Sequence, residues 1–245
     1  MPTPLPIPPG AVTLAARQRN VTLTWVAVEP PENLPPFLSP EEQAQLARLR
    51  IPKRRGEWAS ARWAAKQAVA SRFSPTKPLS LFPQDELRSL PSGQPVFAQP
   101  GLGVSLAHAG GTALAAVWQT PETLPPTTLP GVGIDLEPVT PVHPALEAMV
   151  FTPLEREWLA DQPERASALL DLWCVKEAAV KALGQGWSLP YLAVTARPLK
   201  NPFSGAAGPH DGEWQGEALG KPFRAWSQGT LAHRSFRLAL AYLTM

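Results

Sequence analysis

Apolar and polar positions along the chain follow two rhythms, one of period two and one near 3.6, which divide it into strands and helices. Val21 to Val28 alternates, with Val21, Leu23, Trp25 and Ala27 on one face, and predicts a strand. Ser39-Pro40-Glu41-Glu42 reads as a capping box with proline at the first helical position; its helix passes Leu46 and Leu49 and stops before Pro52. The next helix is predicted from near Lys53 to about Ser71, with Trp58, Ala61, Ala65 and Ala68 as its buried stripe. Leu102 to Ala107 and Thr112 to Trp118 read as strands joined at Gly110-Gly111, and Val132, Ile134 and Leu136 mark another. Thr152-Pro153-Leu154-Glu155 repeats the capping box ahead of Trp158 and Leu159. A helix through Leu170, Trp173, Val180 and Leu183 follows, closed by a left-handed Gly184 or Gly186. Tyr191 to Ala196 reads as a strand and Pro198 to Gly212 as loop. Phe223 to Trp226 and Phe236 to Tyr242 then make a closing hairpin with its turn around Gln228-Gly229.

Proline changes this picture at two places. The run from Met1 to Gly10 reads as an arm outside the fold, and Thr120 to Pro130 opposes regular structure and marks a boundary. The expected division is 1–125 and 126–245, each half combining strands with an alanine-rich helix (Arg62 to Lys66 in one, Lys176 to Lys181 in the other). A chain of 245 residues, 44% hydrophobic and 17% charged, can bury a sizeable core. Its net charge of +2 implies no strong field for nucleic acid. No stretch reaches transmembrane length, and the proline-rich start does not read as a signal peptide. A single cysteine, Cys174, excludes an internal disulfide and reads as a small apolar residue of its helix. These features together predict a cytoplasmic enzyme.

The candidate chemistry lies in two short stretches. In Gly131-Val132-Gly133-Ile134-Asp135-Leu136-Glu137, a strand would put Asp135 and Glu137 on the same side. Carboxylates so close repel unless they are solvated or share a cation, and a hard divalent ion such as magnesium suits oxygen ligands. The plainer account is a pair of turn residues before Pro138. In Trp173-Cys174-Val175-Lys176-Glu177-Ala178-Ala179-Val180-Lys181, Glu177 and Lys181 share a helix face. They are either a surface ion pair or a metal-binding carboxylate with a phosphate-binding ammonium one turn on. Asp135, Glu137 and Glu177 would make a three-carboxylate site. Arg55, Arg62 and Lys66 form a basic face that is either solvated or an anion site. His108, between two strands, is either satisfied by nearby backbone or a donor to an anion.

Gly133 to Glu137 followed by Trp173 to Lys181 resembles the paired motifs of the 4'-phosphopantetheinyl transferases, specifically the larger single-chain type that modifies carrier proteins. The resemblance runs from about Arg54 to the C-terminus. It implies an α+β fold of two similar halves related by a pseudo-twofold axis, with the active site between them. It further implies transfer of 4'-phosphopantetheine from coenzyme A to a serine of an apo acyl or peptidyl carrier protein, releasing adenosine 3',5'-bisphosphate. Asp135, Glu137 and Glu177 would hold magnesium, Lys181 and His108 would meet the pyrophosphate, and Arg54 or Arg55 with Arg62 the 3'-phosphate. The serine proton would pass to Glu155, which matches the family's F-S/T-x-x-E, or to a metal-bound water. The type usually works as a monomer, with no nucleic-acid or membrane partner. Two departures stand out: Gln94 replaces the lysine of G-K-P, and Ala107 the serine before the histidine, removing a cation and a hydroxyl. The rival expectations are an inactive module binding coenzyme A or carrier protein, and a magnesium-dependent phosphohydrolase.

Overall fold

A computed structural model describes residues 11–73, 86–122, 131–140, 144–184, 190–200, 212–230 and 236–244. The expectations for the proline-rich arm, for the boundary at 125/126, for Gly186 and for most of the loop beyond Pro198 lie outside these residues. Among them the chain forms two compact units, 19–122 and 131–244, and the second also takes in 11–18. That segment is a helix, α1 (Ala11–Gln18), packed on strands from the far end of the chain.

The first unit contains β1 (Thr22–Ala27), α2 (Pro40–Arg48), α3 (Pro52–Phe73), β2 (Leu87–Ser89), β3 (Pro95–Phe97), β4 (Leu102–Ala109) and β5 (Thr112–Gln119). An antiparallel sheet ordered β1-β5-β4 packs against α3, and β2 pairs with β3 in a small hairpin. The face of β1 that meets the helix is the one carrying Val26, although Val21 and Trp25 on the other face are also buried. Val26 joins the core with Ala61, Ala65 and Ala68, while Leu23 and Ala27 stay half-buried. Alternation gives the period of a strand but not which side the helix takes. His108 falls inside β4, opposite Ala113, one residue ahead of the turn at Gly110-Gly111.

The second unit follows with β6 (Val132–Pro138), α4 (Pro144–Val150), α5 (Pro153–Ala160), α6 (Arg165–Leu183), β7 (Val194–Lys200), β8 (Gly212–Ala218), β9 (Lys221–Thr230) and β10 (Phe236–Leu243). Its five strands run antiparallel in the order β6-β10-β9-β8-β7, with α6 across them. The closing hairpin is present, but Gln228 and Gly229 lie within β9, hydrogen-bonded opposite β10, and not in a turn. Buried Gln228 accepts the amides of Val12 and Thr13 at the start of α1, a tertiary duty that holds it in the sheet. β8 begins at the end of the expected loop and had no expectation of its own: GEWQGEA lacks a clear apolar alternation, yet Trp214 and Ala218 are fully buried on one side. Tyr191–Ala193 is a short 3-10 turn, and the strand starts only at Val194. Helices and antiparallel strands are mixed in both units. Among the described residues no helix is long and apolar enough to cross a membrane.

Each unit contains the same buried construction. In the first, Glu42 at the third position of α2 closes a capping box with Ser39. Its Oε2 accepts from Ser39 N (2.8 Å) and Lys66 Nζ (2.6 Å), and its Oε1 from Leu87 N (3.2 Å). In the second, Glu155 closes a capping box with Thr152. Its Oε2 accepts from Thr152 N and Lys176 Nζ, both at 2.7 Å, and its Oε1 from Ala196 N (2.8 Å). Each lysine lies over a phenylalanine, Lys66 at 5.6 Å from Phe37 and Lys176 at 5.5 Å from Phe151. The basic stripe on α3 is therefore not a solvated face. Lys66 is fully buried and Arg62 is 3% exposed, and the anion between them is the chain's own Glu42.

Candidate active site

Two glycines set the geometry of the second unit's acidic cluster. A Cβ on Gly131 would lie 1.7 Å from the carbonyl oxygen of Ala182, and one on Gly133 1.8 Å from that of Ala178. Only glycine lets β6 press this closely on α6. The approach brings Asp135 and Glu137 on the strand against Glu177 and Lys181 on the helix. Gly184, with φ of 70°, then ends α6 in the left-handed conformation.

Each carboxylate has a specific donor. Lys181 Nζ donates to Asp135 Oδ1 at 2.6 Å, and Trp173 Nε1 to Glu137 Oε1 at 3.0 Å. The Tyr191 hydroxyl donates to Glu177 Oε1 in a short hydrogen bond. Asp135 Oδ2 is buried and accepts no hydrogen bond among the described residues. Burial, followed by the charge of Asp135, pushes the Glu137 carboxyl up to about 7. Glu177 is raised for the same two reasons, against the pull of Lys181 and Tyr191. Burial opposes the Lys181 charge, but Asp135 and Glu177 outweigh it and hold that pKa above its usual value. Cys174 is fully buried, and burial with the nearby carboxylates pushes its thiol well up, so it is no nucleophile.

The remaining sequence-predicted residues are placed as follows. Glu155 is buried, with both oxygens engaged by the three donors already described. In the first unit, His108 is half-exposed with Nδ1 3.7 Å from Glu57 Oε2. Arg54 is exposed. Arg55 Nη1 donates to the carbonyls of Leu46 (2.7 Å) and Leu49 (3.2 Å), closing the turn after α2. The Arg62 guanidinium stacks 3.4 Å from the Trp58 ring, with Nη2 donating to Ser89 Oγ and Nε 3.9 Å from Glu42. Burial lowers its pKa to about 10 against the pull of Glu42. Gln94 lies beside the turn between β2 and β3, and Ala107 is buried in β4. Arg55 and Arg62 thus point to separate partners, whereas Asp135, Glu137, Glu177 and Lys181 converge.

Residues 131–241, which carry this convergence, match a family model described as the 4'-phosphopantetheinyl transferase superfamily. The match covers this segment, somewhat under half of the chain, and shows what the segment is similar to. The 4'-phosphopantetheinyl transferase psf-1 of Bacillus pumilus is 35% identical over 109 residues, 43% of this chain and 42% of that relative. The 4'-phosphopantetheinyl transferase Svp of Streptomyces mobaraensis is 34% identical over 131 residues, 53% of this chain and 46% of that relative. The matches thus span under half the length of either curated relative. A crystal structure of Thermotoga maritima holo-(acyl-carrier-protein) synthase aligns at 21% identity with a TM-score of 0.32, covering 46% of this chain and 62% of that one.

The chemistry of the cluster fits a hard cation: three mutually repelling carboxylates, all-oxygen donors, and one buried oxygen that accepts no hydrogen bond among the described residues. Among the described residues no three such side chains are spaced as metal ligands, and Asp135 is paired with Lys181. A cavity of about 610 Å³ lies elsewhere in this unit, lined by Glu155, Trp158, Arg197, Gln215, Phe223 and Arg224 among others, and by none of the cluster. Sequence reading placed the carboxylates but missed two of their donors. The Trp173 indole was legible only as part of a motif, and Tyr191 opens a short 3-10 turn with no spacing that announces it.

Proposed function

We propose that this chain transfers the 4'-phosphopantetheine group of coenzyme A to a serine hydroxyl of an apo acyl or peptidyl carrier protein, with magnesium, releasing adenosine 3',5'-bisphosphate. The observation that carries the reading is the convergence of Asp135, Glu137, Glu177 and Lys181 where β6 presses on α6. The superfamily match over 131–241 supports it.

In this reaction the serine oxygen forms a bond to the β-phosphorus and the bond to the adenosine-side phosphate breaks. The serine proton leaves, and charge develops on the departing bisphosphate. Such chemistry is mainly positioning and electrostatic stabilisation. Asp135, Glu137 and Glu177 hold magnesium, which when bound neutralises pyrophosphate charge. Lys181 adds a donor on the same side, exchanging its bond to Asp135 for a phosphate oxygen. His108 donates to the pyrophosphate, and Arg54 or Arg55 with Arg62 holds the 3'-phosphate. Glu155 takes the serine proton only by releasing one of its three donors. The shared Glu–Lys construction supports the further reading of the two units as similar halves. The protein acts as a cytoplasmic monomer.

The test is to incubate the protein with coenzyme A, magnesium and a panel of apo-carrier proteins, and weigh each carrier by intact mass spectrometry. A gain of one phosphopantetheine that disappears on chelation is expected. Coenzyme A bound without transfer would replace this reading with an inactive binding module. Coenzyme A cleaved with every carrier unmodified would replace it with a phosphohydrolase.

A further inference from the structure

Two side chains grip the acidic cluster from outside and have no part in the reaction above. Trp173 donates to Glu137 Oε1 and Tyr191 to Glu177 Oε1. Their rings touch, with centroids 4.9 Å apart and planes tilted by 47°. Both are partly buried against the core of the second unit. The two glutamates come from different elements, β6 and α6, and Tyr191 comes from a third, the 3-10 turn ahead of β7.

We propose that Trp173 and Tyr191 are positioning residues, a two-ring clamp that restrains the Glu137 and Glu177 carboxylates for a divalent cation that enters as Lys181 leaves Asp135. The inference rests on the reading of those carboxylates as the magnesium site. A glutamate side chain loses considerable rotamer freedom when it is fixed, and a site that leaves it loose bears that loss on binding. A neutral donor on one oxygen removes the freedom in advance. It also leaves the charge in place, unlike Lys181, which spends part of the charge of Asp135 in an ion pair. Each clamp donor engages one oxygen of its carboxylate. Because the rings are in contact, the strand carboxylate and the helix carboxylate are set by one unit and not by two independent bonds. Outer groups of this kind contribute roughly 10–100-fold to metal affinity in other proteins.

The test uses the full chain and manganese(II) as the probe, because the resonance of the free ion disappears on binding and reports affinity without turnover. Trp173→Phe keeps a packed ring and removes the N–H; Tyr191→Phe removes one oxygen. Each is expected to weaken manganese binding by about tenfold or more, at unchanged circular dichroism and melting temperature. The double variant should lose less than the product of the two single losses. Should Trp173→Phe fail to fold, Tyr191→Phe decides, since it alters a ring that is only partly buried. Wild-type binding matched within about twofold by both folded variants would overturn the clamp and leave the metal site standing. Wild-type protein that binds no manganese would overturn the metal site, and the clamp with it.

Discussion

Glu137 carries the cluster's sensitivity to pH. Its carboxyl titrates near 7 in the folded chain and near 4.5 as an ordinary glutamate, chiefly because it is buried beside Asp135. Between those values the folded state holds a proton that the unfolded state has lost, so stability falls as pH rises through the window. Glu137→Gln removes that component. Its melting temperature relative to wild type should therefore climb from pH 5 to pH 8, and a constant difference would refute the assignment. A magnesium ion held as proposed would select the ionised form, so its stabilisation of the wild type should grow over the same range. Asp135→Ala should abolish transfer while circular dichroism stays unchanged; a folded variant with full activity would remove Asp135 from the site. These carboxylates were legible because a strand period and a helix period each put two charged groups on one face. Their neutral donors were not, since an indole in a helix reads as an apolar position and Tyr191 as the start of a strand.

At the scale of elements, the decisive contact is β6 on α6. Gly133→Ala puts a methyl group 1.8 Å from the Ala178 carbonyl, which must push the strand away. Overpacking of this kind costs about 1–3 kcal/mol or more, and here it should also separate Asp135 from Lys181. Denaturant midpoints and manganese affinity are expected to fall together, and a stable variant with normal affinity would contradict the argument. Glu155→Gln breaks the buried pair with Lys176 while retaining an acceptor for the cap. Losing one partner of such a pair costs about 3–5 kcal/mol, so a drop of that order in unfolding free energy is expected. Activity per folded molecule then separates the two duties: retained turnover makes Glu155 structural, and lost turnover gives it a place in proton transfer. Both capping boxes were visible from Ser39 and Thr152 three positions ahead of a glutamate. The lysines that complete them were not. No local pattern says that Lys66 will be buried on Glu42, because that partner arrives from another helix.

At the scale of the whole molecule, each unit has its own buried core and its own Glu–Lys construction. Glu42→Gln should therefore raise hydrogen exchange within 19–122 and leave the protection of 165–184 unchanged. Magnesium should do the converse, slowing exchange in 131–140 and 165–184 alone. Exchange that changes in every segment for either perturbation would show one cooperative body. The sequence pattern marked a boundary near the middle of the chain, but not the return of α1 to the second unit. That return depends on Gln228, an isolated polar residue in a strand with no local signal. It also has a consequence in time. The amide of Val12 finds its acceptor 216 residues later. At a synthesis rate of about 5–20 residues per second, α1 waits roughly ten to forty seconds after leaving the ribosome before its seat on β9 and β10 exists. The contacts of 19–122 can form in that interval, while Val12, Ala15 and Ala16 remain uncovered. On the ribosome, the first of the described helices to be made is therefore among the last of them to dock.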